Sequence, residues 1–126
     1  MDIDHFKQVV DAYGHLKGSQ AIQEVARTIR ECLVEPAFGV AYGGDEFVLV
    51  LQGFDKEHAL KKAAEIRSRM KQTICLANHG HQVNLSASFG IATFPDDAED
   101  AAGLLTLADS AMFSVKEKGK DAIKSA

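Results

Sequence analysis

The stretch Tyr42-Gly43-Gly44-Asp45-Glu46-Phe47, YGGDEF, sits between two short apolar runs. Residues 38–42 read as one strand, Gly43-Gly44 as a turn, and residues 47–51 as the returning strand of a β-hairpin. A hairpin gains nothing from two adjacent carboxylates at its tip. Asp45 and Glu46 therefore mark either a solvated turn or a seat for something cationic.

Outward from the hairpin, the chain alternates helical and extended patterns. Residues 4–13 suit a short helix ended by Gly14, and Gly18-Ser19 opens a second helix with Ser19 as its N-cap. Ile22, Val25, Ala26, Ile29 and Leu33 give that helix one apolar face, and Pro36 closes it. A third helix spans 55–74, with Ala59, Ala63, Ile66, Met70 and Ile74 on one side. Residues 82–94 read as a long strand in which Gly90 marks a bulge or a close contact. A last helix covers 100–118, is stopped by Gly119, and is followed by a short closing strand in AIKS. The order ααββαβαβ implies an α+β fold, a mixed, largely antiparallel sheet with helices on one face. Such a domain calls for an apolar strand leading into the first helix, and none precedes Asp2. The sequence is thus expected to be part of a longer domain whose first strand is missing, with some core surface left uncovered.

Composition narrows the function. The 126 residues, 46% of them hydrophobic, suit one domain, residues 1–126, with one core. A formal charge of −4 argues against a nucleic-acid partner, while leaving room for a local phosphate site. Cys32 and Cys75 fit no zinc spacing or disulfide framework; both fall in apolar, helix-like patterns and read as buried free thiols of a reducing compartment. No apolar run approaches the ~20 residues that span a bilayer, and no signal peptide is visible. The expectation is a cytoplasmic domain without direct membrane contact, in a parent chain that can carry a membrane anchor.

Asp2 and Asp4 flank the entrance of the first helix, far in sequence from Asp45 and Glu46. Carboxylates converging from two segments suit a hard divalent cation such as Mg²⁺, which takes oxygen ligands and few of them from protein. The N–H groups of His5, Phe6 and Lys7 at the helix start can hold phosphate oxygens. Lys116 and Lys120 in KEKGK supply positive charge for terminal phosphates. Singly, each feature also has an ordinary reading: a solvated turn, an N-cap at Asp4, a lysine-rich helix end that favours the dipole.

Taken together, DIDHFK, DAYGH, YGGDEF, SFGIATFP and ADSAMFSVKEKGK follow one another in the order found in the GGDEF family, which this sequence strongly resembles from Asp2 to about Ile123. The resemblance implies the fold of class III nucleotide cyclases and polymerase palm domains. It implies a diguanylate cyclase, joining two GTP into cyclic di-GMP with Mg²⁺ or Mn²⁺, one GTP per subunit of a homodimer, beside sensory or effector domains. By the same resemblance Asp2, Asp45 and the Ile3 carbonyl would hold metal. Glu46 would assist the metal or activate the ribose 3′-hydroxyl, and Gly43 and Gly44 would let backbone approach the nucleotide. Lys7, Lys116 and Lys120 would contact phosphate, Lys120 standing where the family usually has Arg.

Two positions depart from the family pattern. Val10, beside Asp11, replaces the Asn that helps hold guanine, and Ser19 replaces the Asp that accepts from its Watson–Crick edge. Ser both gives and accepts a hydrogen bond, and Val does neither; losing matched polar groups can cost on the order of 10⁴ in discrimination. Three outcomes stay open: a GTP cyclase, a relaxed-specificity cyclase that accepts ATP and makes mixed cyclic AMP-GMP, and an impaired regulatory module. Where many members of the family carry an inhibitory RxxD product site, this sequence has Val34, Glu35, Pro36 and Ala37, so the resemblance implies that no such site is present. His15 reads as structural, and Asn78 to His81 as a turn.

Overall fold

The computed structural model describes residues 1–126. Its elements run β1 (Asp2–Ile3), α1 (Phe6–Tyr13), α2 (His15–Cys32), β2 (Phe38–Ala41), β3 (Phe47–Val50), α3 (Lys56–Gln72), β4 (Ala87–Ile91), α4 (Ala101–Glu117) and β5 (Ile123–Ser125). The α+β class and the hairpin are as expected.

β1 is only two residues long and occupies the middle of the sheet. On one side Asp2 and Ile3 pair antiparallel with Ser88 and Ala87 of β4, which pairs parallel with β5. On the other, Asp2 bridges Glu46, Phe47 N donates to Met1 O (2.9 Å), and Ile3 N donates to Asp45 O (2.9 Å). The β2–β3 hairpin thereby joins the rest, giving the order β2-β3-β1-β4-β5.

Helices cover both faces, not one. Successive β4 residues point to opposite sides. Ala87 and Phe89 enter a core with Val25 and Ile29 of α2 and Ile66 and Met70 of α3. Gly90 faces the other way, onto α4. A Cβ there would fall inside the Ala108 carbonyl oxygen and 2.5 Å from Met112 N, so the α4 backbone rests directly on β4. Gly90 is the close contact that the sequence suggested. Gly90→Ala should cost about 3 kcal/mol, the top of the usual range for overpacking, because the clash is with backbone and cannot rotate away. Urea denaturation of the variant against the wild type checks this.

Several boundaries shift for physical reasons. α2 begins at His15, directly after Gly14 turns the chain at φ 89°. Ser19 therefore lies inside the helix and caps nothing. Gly18 is buried and sits against Val10 and Phe6, where an added Cβ would come 2.9 Å from Val10 Cγ2. The glycine serves helix contact. The long strand expected over 82–94 shrinks to β4, because backbone partners change along it: Val83 pairs with Cys75, and only Ala87–Ile91 joins the sheet. Asp55 and Asp100 cap α3 and α4, accepting from His58 N (2.8 Å) and Gly103 N (2.7 Å). Ile74 falls beyond α3 and is exposed.

Both cysteines are buried and free. Cys75 lies in a β-bridge and not in a helix, and burial pushes its thiol up to about 11. No helix is long and apolar enough to cross a membrane.

Candidate functional site

The alternation of β1 decides which of the first acidic residues does what. Ile3 points into the core at 2% exposure, while Asp2 and Asp4 point to the α4 side with Ser88 and Lys116. The bridge to Glu46 places the hairpin tip beside Asp2, close enough for the Asp45 and Glu46 charges to act on the Asp2 carboxyl. Tyr42 N donates to Glu46 O (2.9 Å) and closes the turn. Gly44 has nothing within 4 Å of a Cβ position and Gly43 only Glu46 beyond 3.6 Å; neither is left-handed. The chain's own packing does not require glycine at either place.

Asp2 is held at a cost. Its Oδ1 is buried without a hydrogen-bond partner. Burial pushes the carboxyl up to about 6; Lys116 opposes that shift, and the neighbouring Asp45 and Glu46 carboxylates add to it. An under-compensated carboxylate with two more acids beside it fits a hard cation with oxygen ligands. No group of three or more His, Cys, Asp or Glu side chains is placed to hold a metal ion by itself. The candidate oxygen donors near the seam are the Asp2 and Asp45 carboxylates and main-chain carbonyls.

Asp4 is a different residue from the N-cap the sequence allowed. The N-cap of α1 is His5, left-handed at φ 56°; it makes no side-chain cap, and its carbonyl accepts from Gln8 N (3.0 Å). Asp4 is 1% exposed and collects four hydrogen bonds. Ser88 Oγ and Lys116 Nζ donate to its Oδ1 (2.7 and 2.6 Å), and Ser86 Oγ and Asp121 N to its Oδ2 (2.7 and 3.0 Å). Burial acts to raise its carboxyl, yet the hydrogen bonds from Lys116, Ser88 and Ser86 win and hold it below the usual carboxylate range. Sequence reading missed Ser86, Ser88 and Asp121. A signal existed in the polar residues Asn84, Ser86 and Ser88, which alternate with apolar ones along the strand.

Lys116 is less free than expected. Besides Asp4, its ammonium donates to Asp2 O (3.2 Å) and Ile3 O (3.3 Å) and lies 4.0 Å from Asp2 Oδ1. The carbonyl expected to face metal thus already faces a cation. Lys120 lies in the turn after α4 at φ 65°. Lys7, Asp11 and Ser19 are exposed, while Val10 is half-buried against Gly18. A cleft of about 370 Å³ opens between β3 and α4, with Met1, Glu46 and Asp109 on its wall; neither Val10 nor Ser19 reaches it. Over the 78–81 segment, expected as a turn, Ala77–His79 form one turn of 3₁₀ helix closed by left-handed Gly80, and the His81 ring lies tilted at 43° to Tyr13 with centroids 4.5 Å apart.

A family model described as "Diguanylate cyclase, GGDEF domain" matches residues 1–122. Diguanylate cyclase A of Treponema denticola is 30% identical over 123 residues, 98% of this chain and 33% of the relative. Diguanylate cyclase DosC of Escherichia coli is 32% identical over 124 residues, 98% of this chain and 27% of the relative. The chain therefore spans a third or less of these curated relatives. Among solved structures, the GGDEF domain of YfiN (TpbB) from Pseudomonas aeruginosa superposes with a TM-score of 0.94 at 33% identity, covering 99% of this chain and 73% of that one. The GGDEF domain of DgcB from Caulobacter crescentus, in complex with c-di-GMP, gives 0.89 at 28% identity, covering 98% and 73%.

Proposed function

The chain belongs to the GGDEF family, and from that premise we propose that it is a diguanylate cyclase-type signalling domain that condenses two GTP into cyclic di-GMP. The observation that carries the reading is the buried, unpartnered Oδ1 of Asp2 beside the Asp45 and Glu46 carboxylates. Asp2, Asp45 and the Ile3 carbonyl would hold Mg²⁺ or Mn²⁺. When bound, the metal supplies charge neutralisation at the phosphates and a lowered pKa for the attacking hydroxyl.

The chain's residues do the positioning, which dominates phosphoryl transfer. Each ribose 3′-oxygen bonds to the α-phosphorus of the other nucleotide and pyrophosphate leaves, twice per product. Two copies of the domain, one GTP each, bring the nucleotides together. Glu46 takes up or relays the hydroxyl proton. The N–H groups of His5, Phe6 and Lys7 and the Lys7 ammonium hold phosphate oxygens. Lys116, already seated on Asp4, acts as a fixed positive charge, and Lys120 supplies a second one to the terminal phosphates. Gly43 and Gly44 leave room for the nucleotide.

A second reading is favoured by Val10. Its side chain is spent on contact with Gly18, and Ser19 is exposed, so neither position is built to select guanine by an acceptor pair. On that reading ATP is accepted beside GTP and the product is mixed cyclic AMP-GMP. One experiment separates the possibilities: the full-length protein is incubated with GTP, ATP or both plus Mg²⁺, and products are identified by mass spectrometry. Cyclic di-GMP alone is the expected result. A mixed dinucleotide supports relaxed selection, and no product assigns the domain to regulation without catalysis.

A further inference from the structure

The turn between α4 and β5 is built with more restraint than a connection needs. Gly119, Lys120 and Asp121 all have positive φ, at 118°, 65° and 50°. Two consecutive non-glycine residues in that region are sparsely populated and persist only where their surroundings over-determine them. Here the surroundings converge on Asp121. Arg67 Nε of α3 donates to its Oδ1 (3.0 Å) and to its carbonyl (3.2 Å), and Lys71 Nζ of α3 donates to its Oδ2 (2.8 Å). Its own N–H donates to Asp4 Oδ2. One residue earlier, Lys120 N donates to Val115 O (2.9 Å). Arg67, Lys71 and Lys116 are each paired with a carboxylate, and Lys120 is the cation of this group left for a ligand.

We infer that Asp121 is a positioning residue for nucleotide binding, setting Lys120 in its left-handed turn by anchoring that turn to α3 on one side and to Asp4 on the other. The inference rests on the proposed role of Lys120 at the terminal phosphates and adds what holds it there. Asp4 carries Lys116 on its other oxygen, so one buried carboxylate fixes the spacing of both cations. α3, which contributes nothing else to the site, enters through Arg67 and Lys71.

A turn lock with no bearing on the ligand would change stability alone. The test is therefore a double-mutant cycle on the full-length protein, read by equilibrium binding of a non-hydrolysable GTP analogue with Mg²⁺ and by KM and kcat. Lys120→Ala should weaken binding about tenfold, the order expected for a lost phosphate charge. Asp121→Ala should weaken it by about fivefold, raising KM with kcat within about twofold. The double variant should bind no more weakly than Lys120→Ala alone, because Asp121 acts through Lys120. Asp121→Asn, which keeps an acceptor for Arg67, should recover part of the loss, and it carries the test if Asp121→Ala does not fold. Wild-type affinity in the Asp121 variants, or losses that multiply in the double variant, overturns the inference alone. No binding by the wild type overturns the proposed function and this inference with it.

Discussion

Asp45→Ala should lower cyclase turnover of the full-length protein by at least about 10³-fold, the scale on which charge-stabilising groups matter in phosphoryl transfer. The expectation is specific to the carboxylate. Asp45 is anchored through its backbone, whose carbonyl accepts from Ile3 N, and the turn is closed by Tyr42 N on Glu46 O. Removing the side chain leaves both bonds in place, so stability should change by less than about 0.5 kcal/mol. Product quantification beside a denaturation curve checks both halves. Undiminished turnover removes Asp45 from the metal-holding set.

The second large effect is on the fold. Asp4→Ala should cost about 3–5 kcal/mol, the usual range for removing one partner of a buried ion pair. The loss takes from Lys116 its shortest carboxylate contact and leaves Ser86, Ser88 and the Asp121 N–H without their acceptor. Its pH signature follows from the direction of the shift. The folded carboxyl titrates below its ordinary value of 3.8, so its contribution is fully present above that pH and disappears as pH falls through the lower folded value. Two residues away the sign reverses. Asp2 titrates at about 6 in the fold, so its ionisation costs stability progressively as pH rises from about 4 to about 6. Denaturation of wild type and Asp4→Ala across pH 3–7 should show the difference between them shrinking at the acid end. A difference independent of pH would mean that the Asp4 charge is not what stabilises.

How much of this was legible depends on how far apart the partners lie. The hairpin, the stripe from Val25 to Ile29, and the contact at Gly90 all follow from local pattern, since strand pairing and helix faces repeat at short period. Asp2, Asp45 and Glu46 can be grouped because acids gather at two breaks in the pattern, the entrance of the first helix and the hairpin turn. The Asp4 network could not be read so. Its donors Ser86, Ser88, Lys116 and Asp121 lie 82 to 117 residues away, and no local periodicity encodes who meets a buried charge. Ser19 looked like a cap because the glycine before it looked like a break; the break is at Gly14, and only backbone torsion distinguishes the two. The strand over 82–94 was too long for a related reason, since apolar alternation continues where its pairing partner has already changed.

The position of β1 has a mechanical consequence. The hairpin is stitched to the other three strands through Met1, Asp2 and Ile3 alone, and those few bonds run past the same acids that define the site. Fraying that seam would carry Asp45 and Glu46 away from Asp2. Conversely, any cation gripped by Asp2 and Asp45 together would act as a rivet between the two halves of the sheet, lending its binding free energy to the cohesion of the domain. If Asp2 and Asp45 hold the cation as proposed, loading the site and closing the sheet would be one event.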